Sequence, residues 1–179
     1  MLSESDTIQC AGIYMLDYCG WTWSWMKGTP YMDFRKKFDG APLEVGFAAG
    51  TALAVKRSVW ESVGGVDRSF FMYFEEADLC WRLWMAGYSV KLVPDTKIYH
   101  LGGEMRKYTV GYGLAKARKS YHSHRNHMRM LLKNYSAWNL VRFTPTTIIA
   151  SLGLRLYGLF TERDYYSLFA MVRAFFWNL

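Results

Sequence analysis

The stretch Phe70-Phe-Met-Tyr-Phe-Glu-Glu-Ala-Asp-Leu-Cys-Trp-Arg-Leu-Trp-Met-Ala-Gly87 constrains the fold of this chain more than any other. Four aromatic rings in five positions run straight into three acids in four positions. From Glu76 to Ala86 the spacing predicts a helix: Leu79, Leu83 and Ala86 share one face, and Cys80 and Trp84 widen it. Gly87 stops the helix, and Tyr88–Val93 then alternates as a strand up to Pro94. Helix and strand in direct succession predict a mixed α/β domain.

The flanking segments extend that reading. Ile8–Asp17 is apolar and reads as a strand, followed by a Gly- and Trp-rich loop over Cys19–Gly28. Gly28–Pro42, with its Arg35-Lys36-Lys37 cluster, reads as an exposed excursion. Val45–Val55 is small and apolar and predicts a buried strand, with Gly46 and Gly50 allowing close backbone approach. Ser58–Val63 predicts a short helix capped by Ser58 and stopped by Gly64-Gly65. Lys97–His100 predicts a further short strand closed by Gly102-Gly103. Three helices are expected in the rear: Lys116–Tyr135, Thr144–Phe160 with Pro145 in its first turn, and Tyr165–Leu179. In the last, Leu168, Val172, Phe175 and Phe176 are expected to line one side.

Charge divides the chain. Residues 1–104 carry ten Lys/Arg and thirteen Asp/Glu, whereas residues 105–179 carry twelve Lys/Arg against only Glu162 and Asp164. Two regions are expected, a slightly acidic 1–104 and a basic helical 105–179 that favours an anionic partner. The acidic front and the lack of any RNP-like, helix-turn-helix or zinc-finger signature argue against nucleic acid as that partner. The three cysteines, Cys10, Cys19 and Cys80, are odd in number and widely spaced, which fits a reducing compartment. No signal peptide is expected at the start, and Thr144–Phe160, with Pro145, two glycines and Arg155, suits a bilayer surface better than a crossing.

Several residues could carry chemistry. Glu75, Glu76 and Asp78 at a helix start complement its dipole, and Asp78 can pair with Arg82 one turn on. Alternatively, the aromatic loop delivers one carboxylate into a cleft as a general base, its pKa raised by like charge and apolar neighbours. His100, at a strand end, is a structural residue or a ligand for a divalent metal near those acids. His122, His124 and His127 form an HxHxxH group in which only the last two share a helix face, a weak metal signal. Trp21, Trp23 and Trp25 alternate, as core residues on a strand or as a platform for a flat apolar or sugar face.

The order of these segments resembles the second half of family-2 glycosyltransferases, in particular the rhamnosyltransferase-like branch. The resemblance is carried by Gly50-Thr-Ala-Leu-Ala-Val-Lys-Arg57, Val63-Gly-Gly-Val-Asp67, Phe70 to Arg82, Gly87-Tyr88 and His100-Leu-Gly-Gly103. Asp17–Gly20, Tyr121-His-Ser-His-Arg-Asn126 and Lys133-Asn134 also fit, so the likeness covers about residues 8–135. It implies a GT-A nucleotide-diphospho-sugar fold. It also implies an inverting transfer of a hexose or deoxyhexose from a nucleoside-diphosphate donor to a glycan or lipid-linked acceptor. Glu76 falls at the position of the family's base, which is usually an aspartate. Glu75 and Asp78 flank it, and Gly50, Thr51, Arg82, Trp21 and Trp23 fall on the acceptor side. His100 aligns with a residue that completes a metal site in some relatives.

The resemblance further implies a divalent metal, Mn²⁺ or Mg²⁺, held with the donor-binding half. No two aspartates of this chain stand two apart, so the DxD motif that holds the metal is missing, and no Gly-rich phosphate loop follows a strand. A chain that starts in mid-domain is therefore expected, binding a nucleotide sugar weakly or not at all by itself. A separate donor-binding chain is then a partner to expect. The resemblance also implies a cytoplasmic, peripheral location on the inner face of the cell membrane. Arg155 would meet anionic headgroups there, and Tyr157, Phe160, Phe176 and Trp177 would lie at the acyl boundary. The alternative is a catalytically silent module, derived from such an enzyme, that binds glycan or membrane or docks on a complete transferase.

Overall fold

The structure is a computed structural model, and it describes residues 6–24, 26–100 and 112–178. Trp25, the Gly102-Gly103 closure and the rest of residues 101–111 lie outside the described residues. The chain forms two compact units. One comprises residues 1–17, 21–68 and 75–102, and the other residues 18–20, 69–74 and 103–179.

The first unit is mixed α/β, with very short strands. β1 (Ile13–Leu16) and β2 (Thr22–Ser24) form one antiparallel pair, and β3 (Leu43–Glu44) and β4 (Lys91–Leu92) another. Val45 N–H donates to Val90 O at 3.0 Å and continues the second pairing beyond its strands. Asp17 ties the start of β2 to the end of β1: its carboxylate accepts from Trp21 N–H and from the Trp23 indole, each at 2.9 Å.

Gly28–Pro42 differs from the exposed excursion expected. It contains helix α1 (Tyr31–Phe38), and Tyr31 and Phe34 are buried with Ile8 and Ala11 in a core that Met26, Phe38, Leu43 and Leu92 complete. The basic cluster hid this: Arg35, Lys36 and Lys37 occupy the solvent side of a helix whose two aromatics, three apart, face inward. The Tyr31 hydroxyl donates to Pro94 O at 3.0 Å, so the buried ring keeps its polar tip satisfied.

Val45–Val55 is not a strand. Only Val45 and Phe47 are buried, and Gly50–Ala52 forms a single 3-10 turn. Ser58 does not cap the next helix, α2 (Arg57–Ser62), because the helix begins one residue earlier with Lys56 at its cap. Tyr88–Val93 contributes only β4, and Lys97–His100 is not a strand. Helix α3 (Glu75–Met85) matches its expectation closely, with Leu79, Cys80 and Leu83 in the core. Trp84 sits at the margin, half-exposed, its indole N–H on Gly46 O at 2.9 Å, while Ala86 is exposed.

The second unit is helical: α4 (Tyr112–Asn134), α5 (Ala137–Glu162) and α6 (Tyr165–Trp177). The Ser136 hydroxyl caps α5 through Asn139 N–H, and Asp164 caps α6 through Ser167 N–H. Pro145 lies inside α5, not in its first turn. The helix has already begun at Ala137 under the Ser136 cap, and the Trp138-to-Phe143 turns precede the proline. α6 buries the small side chains Ser167, Ala170 and Ala174 together with Met171. These residues let α4 approach closely, and they turn Val172 and Phe176 of the expected apolar face towards solvent.

Candidate active site

Glu75 and Glu76 open α3, the end at which a carboxylate gains from the helix dipole. Each has a buried Oε2 with no hydrogen-bond partner, which is unusual for a charged group at a helix start. Burial, then the neighbouring charge of Glu75, and a side-chain hydrogen bond with Glu75 push the Glu76 carboxyl up from the usual 4.5 to about 7. A carboxylate with that pKa is half-deprotonated at neutral pH, which suits a general base.

The space over Glu76 is made by Gly50. A methyl group built at Gly50 would stand 3.6 Å from Glu76 Cβ and 3.8 Å from its carboxyl carbon. The 3-10 turn therefore lays bare backbone against the Glu76 side chain, with Thr51 exposed beside it. One turn further along α3, Cys80 faces the same strip. Its fully buried thiol meets the backbone of Ala48 and is pushed up to about 11, mainly by burial. A nucleophilic role for Cys80 has no support in such a neutral thiol.

Asp78 and Arg82 stand apart from that space. Asp78 is fully buried, and Arg82 holds its Oδ2 at 2.9 Å. The same guanidinium donates to Val63 O and, at 2.6 Å, to Gly65 O. The pair thus fastens the Val63-Gly64-Gly65 turn to α3, a bidentate, charge-assisted use of arginine. Trp21 is half-buried and Trp23 exposed, both anchored on Asp17. His100 accepts a hydrogen bond from Gln9 at its backbone carbonyl, 3.1 Å away. Among the described residues no three His, Cys, Asp or Glu side chains gather in a metal-binding group.

In the second unit the aromatic loop ahead of α3 is held by two side chains of α4. Asn126 Nδ2 donates to Phe70 O, Met72 O and Tyr73 O at 2.6–2.8 Å. Arg125 donates to Ser69 O and Phe70 O, and its Nε reaches Asn126 Oδ1 at 2.8 Å. Phe71, Tyr73 and Phe74 all take positive φ, 61°, 70° and 67°. Three such residues in four positions cost several kcal/mol at ~1–3 each, and the side-chain clamp on their carbonyls offsets it. Phe74 stacks on His127, ring centres 5.1 Å apart. In the sequence Arg125 and Asn126 stand out only as part of the likeness, and no local signal marks this role.

The three histidines of the HxHxxH group do not converge in a metal-binding set among the described residues. His127 bonds Cys19 O at 2.8 Å, His124 accepts from Arg155 Nε at 3.1 Å, and His122 lies against Phe71. Of the expected membrane-facing residues, Tyr157, Phe160 and Phe176 are exposed. Trp177 is also part-exposed and carries the Arg125 guanidinium 4.5 Å from its ring centre, and Arg155 is engaged on His124. Among the described residues, no helix is long and apolar enough to cross a membrane.

The chain is similar to rhamnosyltransferases over a limited stretch. It is 36% identical over 66 residues to the N-acetylglucosaminyl-diphospho-decaprenol L-rhamnosyltransferase of Mycobacterium tuberculosis, covering 37% of this chain and 22% of that protein. It is 39% identical over 56 residues to the rhamnosyltransferase WbbL of Escherichia coli, covering 31% of this chain and 21% of that protein. The matched stretch thus spans about a fifth of the length of these relatives. No family model matches the chain, and no solved structure matches it. Over that stretch the chain is related to glycosyltransferases.

Proposed function

We propose that the chain is the acceptor-side part of an inverting glycosyltransferase of the GT-A type, with Glu76 as its general base. One observation carries the reading. A buried carboxylate with a pKa near 7 faces a strip of bare backbone at Gly50, and both residues fall at the family's base and acceptor positions. Relatedness to an L-rhamnosyltransferase whose name specifies a diphospho-decaprenol acceptor supports a deoxyhexose as the group moved and a lipid-linked glycan as the acceptor.

In the step proposed, Glu76 takes the proton of an acceptor hydroxyl as that oxygen attacks the anomeric carbon. The bond from this carbon to the diphosphate breaks, and the nucleoside diphosphate leaves with the electron pair. Attack opposite the leaving group inverts the anomeric centre. Glu75, by its charge, holds the Glu76 pKa near the working range. A divalent metal and the donor nucleotide would be held by groups outside those described, and a second chain is one source of them. The exposed Tyr157, Phe160 and Phe176 support seating on an anionic membrane surface at the cytoplasmic face, where a lipid-linked acceptor resides.

Glu76→Gln tests the assignment in a context that supports transfer, the full-length or reconstituted enzyme. Loss of a general base should lower kcat by about 10²–10⁴ with acceptor KM little changed. In wild type, kcat should rise with pH through about 7. Transfer undiminished in Glu76→Gln would remove the base assignment. Flotation on anionic liposomes tests the surface claim: Phe160→Ser with Phe176→Ser should lose retention, and equal retention would refute it.

A further inference from the structure

A cavity of about 230 Å³ lies among α4, α5 and α6. Its wall is mostly apolar, including Ile148, Leu152, Met171 and Val172, with His124, His127 and Ser151 as its polar members. A dry apolar cavity of about 150 Å³ accommodates a benzene ring, so this one has room for a short branched hydrocarbon. Leu152 and Val172 are partly exposed, and the cavity opens beside them.

The second observation is a cation at the same place. Ile148, Ser151, Leu152 and Arg155 recur at i, i+3, i+4 and i+7, so Arg155 continues the face of α5 that lines the cavity. Arg155 is half-buried and gives its Nε hydrogen to His124, which is buried and neutral, its pKa lowered to about 3 by burial and by that guanidinium. No carboxylate pairs with Arg155 among the described residues: of the two acids in the helical segments, Glu162 and Asp164, both are spent on Lys116. A half-buried guanidinium beside an apolar hole, with no carboxylate on it among the described residues, fits a ligand that has both a hydrocarbon and an anion.

We infer that this cavity binds the phosphate-proximal part of an isoprenoid phosphate, its hydrocarbon among α4, α5 and α6 and its phosphate on Arg155. This rests on the lipid-linked acceptor of the proposed function and assigns that acceptor's lipid a site. Branched isoprene units suit a short, wide cavity, and the anion requirement separates this ligand from a neutral lipid.

The test is binding of farnesyl phosphate to the purified chain by calorimetry, with farnesol and inorganic phosphate as separate probes. Micromolar binding of farnesyl phosphate is expected, with farnesol weaker by about tenfold or more and inorganic phosphate undetected. Leu152→Trp, which fills the cavity from its partly exposed rim, should abolish binding of both farnesyl compounds. Arg155→Met should weaken farnesyl phosphate by about tenfold and leave farnesol unchanged, and unaltered thermal melting would show both variants folded. No binding of farnesyl phosphate by the wild-type chain would overturn the inference. So would equal binding in Leu152→Trp, or equal affinity for farnesol and its phosphate. Glu76→Gln should bind farnesyl phosphate like wild type, so failure of the transferase reading and failure of this site show separately.

Discussion

Replacing Glu76 by glutamine should stabilise the chain, and only above a particular pH. The unfolded chain ionises this carboxyl near 4.5, and the folded one near 7, because burial and Glu75 oppose its charge. Between those values the folded state holds a proton that the unfolded state has released, so stability falls as pH rises through the window and is lowest above it. At about 1.4 kcal/mol per tenfold in acidity, the difference amounts to about 3 kcal/mol of lost stability at pH 8. Glutamine matches the protonated form in size and polarity and carries no such cost. Urea unfolding of both proteins at half-unit steps from pH 4 to 8.5 gives their difference directly, and titrating groups far from Glu76 cancel in it. The two curves should meet near pH 4 and part by about 3 kcal/mol at pH 8, with glutamine the more stable. A gap independent of pH, or wild type the more stable at pH 8, would show that the Glu76 carboxylate is solvated or paired, and the base assignment would lose its physical ground.

Other expectations follow from the same geometry. Asn126→Ala removes the amide that donates to the carbonyls of Met72 and Tyr73 while Arg125 still serves Phe70, so a loss of about 3 kcal/mol is expected in urea unfolding; a loss below about 1 would mean the loop holds its left-handed turns without this amide. Gly50→Ala meets Glu76 only at ordinary contact distance, so melting should be unchanged, whereas acceptor KM should rise because the methyl occupies the space above the carboxyl; unchanged KM would place the acceptor elsewhere. His124 is held neutral well below its usual 6.5, so the unfolded state takes up the proton first and stability should fall as pH drops from about 6.5 towards 3; His124→Gln should flatten that limb of the pH–stability curve.

What the sequence showed depended on how local the cause was. α3 was legible nearly to the residue because its apolar spacing, its acidic first turn and Gly87 all act within one helix. The proximity of Gly50 and Glu76, far apart in sequence, came from the likeness of motif order and not from spacing, and the geometry gives it physical content. Val45–Val55 misled because an apolar, glycine-containing run satisfies a buried strand and an irregular segment equally; beyond the Val45–Val90 hydrogen bond only an isolated bridge at Phe47 follows, and no ladder forms among the described residues. Pro145 misled in the other direction. Proline fits a first turn best, but a helix already started by the Ser136 cap can run through it, losing one backbone hydrogen bond of its ladder.

Asn126 shows where the limit lies. Nothing around it on α4 distinguishes it from a solvated polar residue, since its partners are backbone carbonyls some fifty positions earlier, and carbonyls have no sequence identity. The need arises only once Phe71, Tyr73 and Phe74 adopt left-handed conformations, which no local preference of bulky aromatics would select. Such a loop persists only where other groups over-determine it, here Arg125 and Asn126. Aromatic-to-alanine changes at Phe71 should therefore relieve little strain and cost little stability, since its ring is exposed, whereas Phe71→Gly should stabilise the loop by freeing its φ. Equal unfolding midpoints for Phe71→Gly and Phe71→Ala would show that the left-handed turn carries no strain.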